Sequence, residues 1–401
     1  MTVSAHPKAG SPEYYKLAII LGALAGMGPL AIDMYLPSFP TIARELGSTP
    51  AGMEVTAAAY FIGLSAGQAI YGPISDRVGR TRPLYFGLAL FILASIGCAF
   101  ATSVPQLIAL RIVQALGGCA EMVVARAMVR DYFDQRDSIR VMSLLILVMG
   151  LAPILAPLIG GQLLVHFGWR AVFYALASYA SVCLVAVLLL LRESLPADRR
   201  RRDSLGEIFA VYRRLLSHRE FMAYVLCGGL VMSGMFAYIA GSPFVFIELF
   251  HVPPDRYGLF FGTNAIGLIT ASQINGRLAR HHHPREILRR VLPITAVASL
   301  TLLASVSTGF GGFPGLLLPL FLCVASVGFA VPNTMALAMA PQGPVAGSAS
   351  ALLGTVQFGL GAAAGAAVSG LNNGTAVPLG LVIATCGVGA WLAFRAVPKL
   401  S

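Results

Sequence analysis

Gly72-Pro73-Ile74-Ser75-Asp76-Arg77-Val78-Gly79-Arg80-Thr81-Arg82 joins two apolar runs through a short, basic, glycine-punctuated turn. Each flanking run is about 20 residues long, enough for a helix to cross a hydrocarbon core of ~30 Å. Gly72 and Gly79 let helix ends approach closely, and Asp76 can pair with the arginines or cap a neighbouring helix. Arg77, Arg80 and Arg82 hold the turn at the lipid headgroups.

Outward from this turn the pattern repeats. Runs of spanning length fall at 16–38, 54–75, 83–103, 105–128, 140–165, 171–191, 221–247, 256–278, 287–308, 315–340, 346–370 and 376–396. The chain is therefore expected to be an all-α integral membrane protein of about 12 helices. The first run is too long for a signal segment and lacks a small-residue cleavage site, so it is expected to be retained. Charged residues make up 11% of the 401, against 57% hydrophobic, far below the ~25% charged of soluble proteins.

The net charge of +11 invites a nucleic-acid reading, but the basic residues sit in short connectors between apolar runs, which is the pattern of membrane orientation. With both termini on one side, only Arg44, Arg170 and Arg256 of the 28 Lys and Arg lie in opposite-side connectors. Arg111 lies within a span, and the other 24 share the side of the termini, which places both termini in the cytoplasm. The six cysteines fall inside apolar runs without paired spacing, as small core residues do.

The connector 192–220 holds the run Arg199 to Arg202 and then Ile208, Phe209, Tyr212, Leu215 and Leu216 at helical spacing. It is expected to lie on the inner leaflet, with the arginines serving topology and lipid headgroups. It separates two six-helix bundles, 1–191 and 221–401. A weak repeat supports the division: Gly67, Ile74, Arg77 and Arg80 recur 200 residues later as Gly267, Ile274, Arg277 and Arg280. Tandem halves of this kind hold a substrate site near the midplane between them.

Charges inside the spans are few. Asp33 is the only acid between Glu13 and Glu45. A carboxylate in hydrocarbon is costly unless paired, hydrated or protonated, so it marks a functional site; the bland alternative is an acid that snorkels from a helix end. Arg111 lies at a similar depth, about 9 Å below the same interface at 1.5 Å per residue, so a direct or water-bridged pair with Asp33 is permitted. The other reading of Arg111 is a structural arginine satisfied by backbone carbonyls. Glu121 lies about 15 Å further along that helix. It is either a second proton- or cation-binding acid or an inner-gate partner of Arg126. Tyr35, Tyr238, Phe244, Asn264, Asn333 and Gln357 are candidate cavity residues, because polar and amphipathic groups inside spans face the bundle interior. Pro153 and Pro157, with Gly160 and Gly161, predict a kinked, closely packed fifth span.

Several stretches carry a family resemblance. The turn at 72–82 resembles the signature loop of the major facilitator superfamily, G-x-x-x-D-R-x-G-R, which implies that Asp76 belongs to a gate latch between halves. Arg111-Ile112-Val113-Gln114-Ala115 is similar to the R-x-x-Q-G motif of proton-coupled facilitators, with Ala115 in place of Gly. The stretch Ala156-Pro157-Leu158-Ile159-Gly160-Gly161 resembles the antiporter motif G-P-x-x-G-G, with Ala156 in the Gly position. Together with Gly28 to Pro37, Phe167 to Arg170 and Gly347 to Ala351, these resemble the bicyclomycin-resistance (Bcr/CflA) branch of drug:proton antiporters.

The resemblance implies proton-driven efflux of drugs or small metabolites across the bacterial inner membrane by alternating access. Asp33 then carries the proton, Arg111 is its counter-charge, Gln114 supports it and the fifth span is a hinge. No organic cofactor, metal or nucleotide is implied; without a Walker-type loop the energy source is the proton gradient. The expected partners are a small-molecule substrate, protons and membrane lipid, with no nucleic acid, for a monomeric chain. A metabolite importer or exchanger of the same fold is the nearest rival. An integral-membrane enzyme is the distant one, with only His281-His282-His283 as a clustered group, more simply a solvated charge cluster.

Overall fold

Short polar residues and prolines start the helices of this chain, and glycines in left-handed conformations end several of them. Ser11, Thr49 and Ser103 each accept a backbone N–H with the side-chain oxygen, and a proline follows in the first two helical positions. Gly79 (φ 100°) and Gly168 (φ 79°) stop two helices where a Cβ would be strained.

The computed structural model describes residues 7, 10–200 and 205–397. Its first half contains α1 (Pro12–Asp33), α2 (Phe39–Glu45), α3 (Pro50–Val78), α4 (Thr81–Ala99), α5 (Val104–Tyr132), α6 (Gln135–Phe167) and α7 (Arg170–Leu190). A connecting helix, α8 (Leu205–Ser217), leads to α9 (Arg219–Pro243), α10 (Pro254–Leu278), α11 (Pro284–Thr308), α12 (Gly312–Met339), α13 (Ala346–Gly370) and α14 (Val377–Arg395).

Among the described residues, ten helical segments are long and apolar enough to cross a membrane. The remaining two long helices, α3 with 29 residues and α10 with 25, fall short in apolarity but sit inside the assembly, each packed against the opposite half. Large apolar side chains such as Ile19, Phe86, Leu189 and Phe310 lie exposed on the outside, the surface a lipid environment requires. The molecule is a multi-pass membrane protein of two six-helix bundles.

The 200-residue repeat has a structural counterpart. Gly67 of α3 lies directly against Cys119 of α5, and Gly267 of α10 lies directly against Phe321 of α12. Second and fourth spans of one half thus meet through a glycine as eighth and tenth do in the other.

The first span ends earlier than its apolar run. α1 stops at Asp33, and a 3-10 turn at Leu36–Ser38 leads into α2. Pro37 has no N–H to bond the carbonyl of Asp33, four residues back, and its ring crowds that carbonyl, so the helix cannot continue.

The connector also differs from expectation. On α8, Val211, Tyr212 and Leu215 turn into an apolar cluster with Phe221, Tyr224 and Leu353, and the Tyr212 hydroxyl donates to the Ala69 carbonyl at 3.5 Å. That face docks on protein instead of lying on a leaflet, because the ends of α3, α9 and α13 offer it apolar surface; Leu216 remains exposed. Arg201 and Arg202 of the arginine run, and the side chains of Arg199, Ile208 and Phe209, lie outside the described residues.

Candidate functional site

The two halves meet along two helix pairs, α3 with α13 and α6 with α10. Small residues make the approach possible. Gly72 faces Ala351, Gly365 faces Ala58, and the Ser65 hydroxyl donates to the Thr355 carbonyl at 2.8 Å. On the other pair, a Cβ on Gly258 would lie 2.7 Å from the Leu158 nitrogen, and one on Gly161 would lie 2.8 Å from the Pro254 oxygen. Gly160 sits against the Met34 carbonyl with no room for any side chain. These contacts at Gly160 and Gly161 pack the span closely, as its composition predicts; at the prolines, where a kink was expected, α6 continues as one helix through Pro153 and Pro157.

Between these seams lies a cavity of about 170 Å³. Its walls come from both halves: Pro29, Ile32 and Asp33 of α1, Met122 of α5, Met149 and Pro153 of α6, and Tyr238, Asn264 and Phe358 of the second half among others. Among the described residues, Asp33 is the only charged one lining it. It is 3% exposed, which excludes snorkelling in this conformation, and its Oδ1 has no hydrogen-bond partner. Across the cavity the Asn264 amide donates to the Tyr238 hydroxyl at 2.9 Å, and Tyr238 stacks on Phe261 with centroids 5.1 Å apart.

Arg111 does not pair with Asp33 here. Its Nη1 donates to the Ala31 carbonyl at 3.1 Å and to Gln114 Oε1 at 2.6 Å, and Gln114 in turn donates to Ser95 at 2.7 Å. The guanidinium carbon stands 4.6 Å from the Tyr35 ring centre and 4.2 Å from that of Tyr60. Carbonyl and ring faces disperse the charge without a carboxylate. The Asp33–Arg111 ion pair admitted by depth alone is absent because α5 turns Arg111 toward α1's backbone two residues before Asp33.

Glu121 is 1% exposed and neither carboxyl oxygen has a hydrogen-bond partner. It forms no ion pair with Arg126, and it lies beside Gly118 near the Tyr60 hydroxyl, which is also without a partner. Of the candidate cavity residues, only Tyr238 and Asn264 reach the cavity. Tyr35 bonds Thr56 and packs on Phe39 and Phe173. Asn333 donates to Asn275 at 2.6 Å and so fastens α12 to α10. Phe244 opens a π-helical stretch, Phe244–Leu249, whose first three residues are buried, and Gln357 packs beside Gly229 of α9. All four lie elsewhere because helix packing uses the same residue types. Missed by sequence reasoning are the apolar walls: Met122, Met149, Met232 and Met235, with Phe236 and Phe358 stacked 5.5 Å apart.

The signature turn is a knot of charges. Arg80 Nη1 donates to Asp76 Oδ1 at 2.5 Å and to Ser75 at 3.0 Å, while its Nε donates to Asp131 at 2.9 Å. Asp76 Oδ2 faces Gly347 at the start of α13, so one carboxylate that pairs with Arg80 in the loop also looks toward the other half. Arg77 stands on the last turn of α3. Glu193, which carries no motif signal, closes the knot. It accepts from the N–H groups of Arg80 (2.8 Å), Leu195 (2.9 Å) and Thr81 (3.2 Å) and from the Thr81 hydroxyl (2.9 Å).

Comparison with known proteins agrees with this architecture. A family model described as Major Facilitator Superfamily matches residues 21–366. The chain is 37% identical over 389 residues to an uncharacterized MFS-type transporter, YdgK, of Bacillus subtilis, covering 96% of each. It is 30% identical to a bicyclomycin resistance protein homolog of Haemophilus influenzae, covering 94% of each. It is 31% identical to the multidrug resistance protein MdtL of Escherichia coli, over 84% of this chain and 83% of that one. Among solved structures, a D-xylose-proton symporter superposes with a TM-score of 0.73 at 16% identity, over 95% of this chain and 98% of the other. At that identity the likeness speaks for the fold alone. With most of its length matched by the family and relatives of this identity spanning nearly all of it, the chain belongs to the major facilitator superfamily of membrane transporters.

Proposed function

We propose that this chain is a proton-coupled exporter of drugs or small amphipathic metabolites, acting as a monomer in the bacterial inner membrane with both termini in the cytoplasm. One observation carries the reading: the cavity between the halves is walled by methionines and aromatics and holds a single charged residue, Asp33. Methionine and aromatic walls adapt to varied apolar shapes, and one acid gives them a proton-dependent polarity. The resistance-associated names of two relatives point the same way.

In this reading the halves, 1–191 and 221–401, rock against each other about the cavity. The volume of about 170 Å³ is below the ~300–1,000 Å³ of drug-sized sites, so substrate enters only as the halves part. Asp33 carries the coupled proton. Its loss leaves a bare charge in an apolar space, relieved by opening to water, by a donor on the substrate or by Arg111 leaving the Ala31 carbonyl. Gln114 holds Arg111 in reserve through its 2.6 Å bond. Glu121, unpaired with Arg126, suits a second proton-binding acid better than a gate residue. Asp76 with Arg80 latches the inner side, and Gly160 with Gly161 keeps α6 close to its neighbours.

A resistance panel in an efflux-deficient host tests this. Expression of the wild type raises tolerance to a set of amphipathic compounds, and Asp33→Asn at equal membrane abundance abolishes the gain. A wild-type chain that protects against no compound in a broad panel removes the drug-efflux reading.

A further inference from the structure

At the end of the molecule away from the termini, the two halves are sealed by the start of α3 and the end of α13. The Ser369 hydroxyl donates to the Ala51 carbonyl at 2.8 Å, and three residues further on the Asn372 amide donates to Glu54 Oε1 at 3.4 Å. Glu54 is 1% exposed, and its Oε2 is buried with no hydrogen-bond partner. A carboxyl group is thus held in the seam between halves, less than two helical turns from an exposed loop.

Beyond the long Asn372 bond, the described surroundings offer a carboxylate no counter-charge. Glu54 is the fifth residue of α3, past the first turn, where free backbone N–H groups end. The helix end that faces it is the C-terminus of α13, whose carbonyls carry partial negative charge. The charged group that bears on it from the π-helical stretch is Glu248, of the same sign. On α2, Arg44 donates to the Pro40 carbonyl and acts on Glu248, while Glu45 is engaged by Trp169 and Arg170 at 2.8 Å each. Glu54 makes no ion pair among the described residues.

We propose that Glu54 is a further proton-binding site, distinct from Asp33 and Glu121, a latch that seals α3 against α13 when its carboxyl is neutral and releases them when it ionises. An ionised carboxylate in the closed seam is buried without a counter-charge, whereas the open seam hydrates it. Outer-side protons therefore favour closure of that side, the step that turns a proton-loaded exporter inward. This rests on the alternating-access reading above and adds to it a site outside the cavity.

Spin labels at Ser48→Cys and Asn373→Cys bracket the seam, and the six native cysteines are all buried, so the chain without added cysteines is the blank. The distance between labels is measured in an Asp33→Asn background, which removes titration of the cavity acid. The short, closed distance is expected to grow in population as pH falls from mildly alkaline to mildly acid. Glu54→Gln should lose that dependence and show the closed distance throughout, which also reports its folding. Asn372→Ala should show a smaller closed fraction at acid pH. An unchanged pH response in Glu54→Gln, no response in the parent, or an unaltered closed fraction in Asn372→Ala would overturn the assignment. None of these outcomes bears on drug efflux, which the resistance panel reads separately.

Discussion

Glu193 and Asp33 carry the same functional group in opposite surroundings. Burial alone would push the Glu193 carboxyl up, but three backbone N–H groups and the Thr81 hydroxyl outweigh it and hold it below the usual carboxylate range. A carboxyl lowered in the folded state adds stability above its unfolded value, about 4.3 for Glu, and that stability is lost as pH falls further. Thermal unfolding in detergent should therefore show the wild type more stable than Glu193→Gln at neutral pH, with the gap closing only below about pH 4.3. A gap that is constant with pH would deny Glu193 its role in the knot. Asp33 and Arg111 were legible in the sequence because charges inside apolar runs are few and costly. Their actual partners were not, since the choice between Asp33 and the Ala31 carbonyl for Arg111 depends on how α5 is rotated. The methionine walls were invisible because a methionine that lines a cavity and one that fills a core have the same sequence signature.

The elements were predicted well where length and apolarity decide, and less well where backbone chemistry does. Every long helix falls on an apolar run, and the 200-residue repeat placed the ends of α3 and α10 at equivalent positions. Pro37 cut α1 short at Asp33, a position that hydropathy alone runs through. The apolar face of α8 found protein because tertiary surface was available, which one-dimensional amphipathicity cannot distinguish from a leaflet. Glycines at helix contacts are the sharpest element-scale test. Gly160 abuts the Met34 carbonyl, next to the residue that carries the proposed proton. Gly160→Val has to push α6 from the end of α1. It should cost about 1–3 kcal/mol in stability and sharply reduce transport, read as a lower melting temperature and lost resistance. A variant that keeps wild-type stability and resistance would show that this contact is not part of the working structure.

At the scale of the whole molecule, the proposed orientation, with both termini in the cytoplasm, rests on 24 of the 28 Lys and Arg lying on the side of the termini. The native cysteines are buried, so single cysteines report cleanly. Asp198→Cys, in the connector before α8, should label only from the cytoplasmic side, and His251→Cys, before α10, only from outside in intact cells. Labelling of both from outside would contradict the twelve-span arrangement. The two-bundle architecture, the seams and the cavity between them converge on one claim, that a proton on Asp33 drives substrate across the membrane. The direct measurement is transport in proteoliposomes with an imposed pH gradient, using a compound to which the chain confers resistance. Wild-type protein should move it against its concentration gradient only while the pH gradient lasts, and Asp33→Asn should lose uphill movement while keeping some downhill exchange. Uphill transport by Asp33→Asn at a rate near that of the wild type would contradict the account.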